Sequence, residues 1–374
     1  MIFMQSRRFK LLKTIFTYCL LFVLFSCGHA DNKRIQPPKN QANQLVQPAA
    51  SPTIVTKIVD PDNGPGTDYT SLEQFDRGEN RDLVAANEIA VAICRSSNGS
   101  PDKPAQFNDW VTDSLHYVKV VAAKGHRASA RWDDRKYRII EHTKINSECI
   151  DVEIDYMVID GIQMLLTGTG RNNDVIDPSP CAGKLTVKNC FIWLDIDTTS
   201  GTGLDPACDV EIYNNIFKSL GGGQTAISLK IRDYSNAPFA NVYNNTFIGW
   251  NRAIRAEYPC RAVNNLVVGV RTSEVFITKD DGKFTPDSDY NSSNIPGKAL
   301  VNPPRNAALF PWNNSDLSID KIFMNPAKND FRLRRNSPFG NIGIGPALNH
   351  RVPQNGISGK KRGMKKTDLG ADVR

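Results

Sequence analysis

The chain has 374 residues, 46 Lys and Arg against 39 Asp and Glu, and five His. That length allows one large elongated domain or two ordinary ones. The formal charge of +7 includes four basic residues near the start, Arg7, Arg8, Lys10 and Lys13, and falls to +3 without them. An excess this small argues against a nucleic-acid partner.

Those four basic residues precede the apolar run "TIFTYCLLFVLFSC". The run is short for a bilayer span and has the layout of an export signal, so residues 1–26 are read as a signal peptide. Residues 27–52 are rich in Gln, Asn, Pro and Ala with few large apolar groups. Such a segment buries too little surface to offset its ordering entropy, and is expected to be a flexible tether. The fold is expected over 53–350, with a basic closing segment at 351–374.

"DPDNGPGTDYTSLEQF" (60–75) predicts a turn and then a short capping helix, with Thr70 and Glu73 as a capping box and Leu72 and Phe75 on the apolar face. "EIAVAICR" (88–95) and "YVKVVAA" (117–123) predict buried strands. From about residue 137 the pattern becomes short β-branched and aromatic runs broken by Asn, Asp and Gly, which predicts an all-β chain. Within it a motif recurs: "VIDGIQ", "VKNCFI", "IYNNIF", "VYNNTF" and "AVNNLV". Its polar positions, Asp160, Asn189, Asn214, Asn244 and Asn264, lie 29, 25, 30 and 20 residues apart. A repeat of that size points to a stacked solenoid. Propeller blades need longer repeats, and leucine-rich frames are absent. A right-handed parallel β-helix fits, with Asn in the left-handed turn of each coil and its amide bonded to the same Asn one coil away, about 4.8 Å distant.

These stretches, with "GPGTDYTSLEQF", "DSDYNSS" (287–293), "FRLRRNSPFGNIGIG" and "DLGAD" (368–372), resemble the pectate-lyase-like superfamily of right-handed β-helix proteins over roughly 60–372. "LFSC" (24–27) resembles a bacterial lipobox, which implies lipidation of Cys27 and, with Gly28 after it, an outer-membrane location. The resemblance implies polysaccharide binding along one strand face, placed at "TAISLKIR" (225–232), "RAIRAEY" (252–258) and "SEVFIT" (273–278). Alternation turns Ile227, Leu229, Ile231 and Ile254 inward and Ser228, Lys230, Arg232, Arg255 and Glu257 outward. A basic outward set suits an acidic glycan, since guanidinium groups grip carboxylates bidentately. Lys230 and Arg232 are the candidate catalytic residues of a lyase-like β-elimination, provided one serves as base. Arg255 and Glu257 are candidate substrate-binding residues. Asp195, Asp197 and Asp205, with Asp209, are candidate Ca²⁺ ligands in the loop 193–209. The other reading is a non-catalytic surface adhesin or scaffold. The polygalacturonase motifs and the R-x-P-x-x-R of one pectate lyase family are absent.

Of eight Cys, Cys19 falls in the signal and Cys27 is the lipid site. The other six permit disulfides in an oxidising compartment, with Cys181 to Cys190 or Cys208 the first pairing to test. The alternative is buried free thiols. No CxxC or Cys/His cluster suggests zinc.

Overall fold

The computed structural model describes residues 50–143, 146–178, 182–196, 200–219, 223–231, 238–269, 275–280, 282–293 and 318–374. Cys27, Cys181, Asp197 and Arg232 lie outside these residues. No helix among the described residues is long and apolar enough to cross a membrane.

The chain enters as β1 (Thr53–Val59), helices α1 (Leu72–Glu79) and α2 (Leu83–Ala86), β2 (Glu88–Cys94), β3 (Ala105–Phe107), β4 (Val118–Ala122), β5 (Arg138–Thr143) and β6 (Glu148–Val152). Strands then come in triplets: β7 (Tyr156–Asp160), β8 (Gln163–Gly168), β9 (Asp174–Pro178); β10 (Lys184–Lys188), β11 (Phe191–Ile196), β12 (Gly201–Leu204); β13 (Asp209–Tyr213), β14 (Ile216–Lys218), β15 (Gly223–Leu229). Two more triplets follow: β16 (Ala240–Tyr243), β17 (Thr246–Ile248), β18 (Arg252–Ala256); β19 (Cys260–Val263), β20 (Leu266–Val268), β21 (Phe276–Thr278).

Each triplet gives one strand to each of three sheets. Sheet I runs β1-β2-β4-β7-β10-β13-β16-β19, sheet II runs β5-β8-β11-β14-β17-β20, and sheet III runs β3-β6-β9-β12-β15-β18-β21. Neighbouring strands pair in parallel, for example β10 with β13, β11 with β14 and β15 with β18. The all-β expectation holds, and the rotation among three long parallel sheets is consistent with a parallel β-helix or solenoid.

Register stacks like on like inside. Ile150, Ile176, Leu204, Ile227 and Ile254 occupy one row of sheet III and are fully buried. Phe217 and Phe247 stack with centroids 5.2 Å apart. Each such side chain contributes about 1.5–3 kcal/mol on burial. A second apolar core lies outside sheet II. There Phe191, Ile216, Ile248 and Leu266 pack with Phe323, Phe331, Phe339, Ile357 and Leu369 of the C-terminal region.

The Asn repeat divides into two roles. Asn189, Asn214, Asn244 and Asn264 have φ of 54–58° and make the left-handed turn, as expected. The alignment shifts in the earliest coil, however: Lys188 pairs with Asp160, so Gly161 (φ 80°) stands opposite Asn189. The continuous amide ladder belongs to the residue after the turn. Asn215, Asn245, Asn265 and Asn291 are fully buried, and each side-chain NH₂ of the first three donates to the next Asn oxygen at 2.8–3.2 Å. The same NH₂ groups donate inward to the carbonyls of Val187, Ile212 and Val242 at 2.9 Å. The turn Asn residues bond one another only from Asp160 through Asn189 to Asn214. Asn244 and Asn264 turn instead to the C-terminal segment, donating to Gly370 O and Ile344 O. Two adjacent Asn look alike in sequence; which one faces the dry core follows from the backbone reversal between them.

The expected capping box is corrected, and of the cysteine alternatives only the pairing through Cys190 is, since the free-thiol reading holds for four residues. The α1 cap is Ser71, which accepts from Gln74 N–H at 3.1 Å, while Gln74 Oε1 accepts from Thr70 N–H at 3.0 Å. Glu73 is left to pair with Arg77 one turn on. Cys190 is a buried free thiol, as are Cys94, Cys149 and Cys260. Cys208 is disulfide-bonded, to a partner outside the described residues.

Candidate functional site

Sheet III carries a second repeat, one coil per line of register: "ECID" (148–151), "DVID" (174–177), "TGLD" (202–205), "TAIS" (225–228) and "RAIR" (252–255). The third residue of each points inward. The fourth lies on the outer face, giving the row Asp151, Asp177, Asp205, Ser228, Arg255. The first residue of each gives a parallel row, Glu148, Asp174, Thr202, Thr225, Arg252. Adjacent strands bring these groups about 4.8 Å apart. The outer face therefore grades from acidic at early coils to basic at late ones.

At the acidic end, carboxylate oxygens of Asp174, Asp177 and Asp205 lie within 4.8 Å of one another. Their charges oppose each other. Asp174 is pushed up to about 7, by burial first and then by Asp205, against a hydrogen bond from Thr202. Glu148 rises to about 7 through burial and repulsion by Asp151 and Asp177. Asp151 rises to about 6, through burial and then Glu153 and Asp177. Asp151 Oδ1 is buried without a hydrogen-bond partner among the described residues. A cleft of about 380 Å³ continues from this end, where Glu148 and Asp151 meet Glu73, Asp76 and Arg77 of α1.

Lys230 reaches back to this cluster. Its ammonium pairs with Asp205, whose side chain is 2% exposed, while the Lys230 side chain is 39% exposed. Further along, Arg255 pairs with Glu257, and Lys279 lies 3.9 Å from the same carboxylate. Glu257 is nearly buried. It orients Arg255 and does not stand free as an outward acid.

The structure thus places Arg255 on sheet III and Lys230 and Glu257 one residue past the ends of β15 and β18, with Ile227, Leu229 and Ile254 inward. It separates the expected carboxylate set. Asp195 is exposed on β11 of sheet II, where it faces Lys218, and it takes no part in the group around Asp205. Asp209 accepts from Phe239 N–H at 2.7 Å. The loop 193–209 crosses from sheet II to sheet III, so nearness in sequence does not become nearness in space. Glu148, Asp151, Asp174 and Asp177 were missed; the signal that finds them is the acidic first and fourth residues of the early sheet III repeats, masked by the more conspicuous Asn motif.

The cluster fits a hard divalent cation. Its donors are carboxylate oxygens, which suit Ca²⁺, and its raised pKa values come from burial first and then from mutual repulsion of the carboxylates. Comparison of the chain with family models, with curated proteins and with solved structures gave no match. Neither membership of the pectate-lyase-like superfamily nor the lipoprotein signal draws support from them.

Proposed function

We propose that this protein is an exported, lipid-anchored right-handed parallel β-helix, related to the pectate-lyase-like superfamily, that binds an acidic polysaccharide along sheet III and cleaves it by β-elimination. The observation that carries the reading is the carboxylate group Asp174, Asp177 and Asp205, the ion pair from Asp205 to Lys230 just past the end of β15, and Arg255 in register with Ser228 on the next strand. A uronate chain carries a carboxylate on every sugar, and these residues offer groups for it at the repeat of the coils.

Arg255, held by Glu257, grips one uronate carboxylate. Lys230, leaving its pairing with Asp205, takes the proton from the carbon α to a second. The electron pair forms the double bond, the bond from the β carbon to the glycosidic oxygen breaks, and water protonates the leaving sugar. Asp174, Asp177 and Asp205 would hold a divalent cation, which when bound would supply charge neutralisation for the uronate and the developing enolate. Arg232 remains a proposed participant.

The test is a screen of acidic polysaccharides for unsaturated-uronate absorbance and for new reducing ends, with and without Ca²⁺. Lyase activity that falls at least a hundredfold in Lys230→Ala and in Asp174→Asn supports the reading; reducing ends without unsaturation overturn it. A second reading, a glycan-binding scaffold or adhesin without catalysis, is favoured by one observation: Lys230 and Arg255 are both already in ion pairs. It predicts saturable binding with no product. The anchor is tested separately by palmitate labelling of wild type and Cys27→Ser.

A further inference from the structure

A larger cleft, about 540 Å³, lies on a different face, between the outer side of sheet I and residues 350–355 of the C-terminal segment. Its volume falls in the range of roughly 300–1,000 Å³ usual for small-ligand sites. The C-terminal wall is fixed to the sheet: Asn214 Nδ2 donates to Asn355 O at 2.8 Å, and Arg351 donates to Asn241 at 2.8 Å. The buried Arg362 guanidinium donates to Asn214 Oδ1 at 2.8 Å. The cleft is therefore a built feature of the folded chain.

Tyr213 and Tyr243 form its floor. They are in register on β13 and β16, with ring centroids 5.9 Å apart and planes 26° apart. Lys188 lies over the Tyr213 ring at 5.8 Å. The ring faces are thus taken up by each other and by Lys188, and the cleft receives edges and hydroxyls. That arrangement offers no platform for stacking a planar ligand. Tyr243 is 3% exposed as a whole, but its hydroxyl is not among the buried unpaired atoms and opens toward the cleft. Burial and the nearby Glu211 push this phenol well above the usual range, so it stays a donor. Glu211, half-buried and paired with Lys184 at 2.9 Å, presents a carboxylate to the same space. Val352 and Pro353 add apolar surface opposite.

A phenol hydroxyl opening to the cleft, a carboxylate acceptor, cationic donors and a small apolar wall match a ring that carries hydroxyls on its rim and C–H on its face. We propose that this cleft is a saccharide-binding site, separate from sheet III, in which Tyr243 and Glu211 hold sugar hydroxyls. It stands on its own geometry and does not require the sheet III reading.

The test is isothermal titration of the full chain with three probes: cellohexaose, hexagalacturonate and adenosine. It is run on wild type, on Tyr243→Phe with Glu211→Gln, and on Lys230→Ala with Asp174→Asn. One or both saccharides are expected to bind wild type and the sheet III variant equally, and the sheet I variant at least about tenfold more weakly, the equivalent of one lost hydrogen bond. Adenosine is expected not to bind. The proposal is overturned if neither saccharide binds wild type, if the sheet I variant binds as wild type does with an unchanged melting temperature, or if binding is lost only in the sheet III variant. The sheet III reading is judged by product formation, so the two fail separately.

Discussion

Asp174→Asn is expected to stabilise the protein at alkaline pH. In the fold Asp174 keeps its proton to about pH 7, against 3.8 for a free aspartate. Between those values the folded chain binds more protons than the unfolded chain, so stability is full below about pH 4 and falls as pH rises through 7. At 1.36 kcal/mol per unit the loss is on the order of 2–4 kcal/mol, which at about 2 °C per kcal/mol lowers the melting temperature by about 4–8 °C. The Asn variant keeps the shape and the Thr202 hydrogen bond and removes the charge. Thermal unfolding with a chelator present should show wild type losing stability from about pH 5 to pH 8, and the variant losing less, with a residual slope from Glu148 and Asp151. Calcium at pH 8 should raise the wild-type melting temperature by relieving the same repulsion, and should do little for the variant. A wild type equally stable at both pH values without divalent cations, or a variant less stable than wild type at pH 8, would refute the reasoning.

Other outcomes follow from the same coordinates. Asn245→Ala removes a fully buried amide that serves Ile212 O, Asn265 and Asn215, and should cost about 3–5 kcal/mol in urea unfolding; Asn244→Gly keeps the left-handed turn and should cost under about 1 kcal/mol. Equal costs for the two would contradict the division of roles. Arg362→Leu strips the hydrogen bonds to Asn214, Asp368 O, Gly370 O and Ala371 O, and limited proteolysis should then release fragments from 342–374 that wild type does not yield. The thiols of Cys94, Cys149, Cys190 and Cys260 are buried, and burial pushes Cys190 up to about 12. They should resist iodoacetamide at pH 8 until the chain unfolds; rapid labelling of the native protein would show the packing to be wrong.

Much of the architecture could be read from residues alone. The Asn motif disclosed the stacking period, because only Asn and Gly accept the left-handed turn cheaply. Alternation in "TAISLKIR" and "RAIRAEY" correctly placed Ile227, Leu229 and Ile254 inside, but Ile231 beyond the end of β15 is only half-buried, and Ser228 and Glu257, expected outward, are buried. The second apolar core was not legible, since Phe331, Phe339 and Leu369 sit among polar residues with no period, and their partners on sheet II are distant in sequence. The carboxylate site was misplaced for a related reason. Sequence proximity grouped Asp195 with Asp205, whereas stacked coils bring together residues 26 or 28 positions apart, such as Asp151 with Asp177 and Asp177 with Asp205.

The most direct test of the sheet III account is calcium titration of the chelator-treated full chain by calorimetry, in the presence and absence of hexagalacturonate. The account predicts one saturable calcium site in wild type, at least tenfold weaker in Asp174→Asn, and tighter when the uronate is present. No calcium binding, or binding that is the same in Asp174→Asn and indifferent to the uronate, would contradict it.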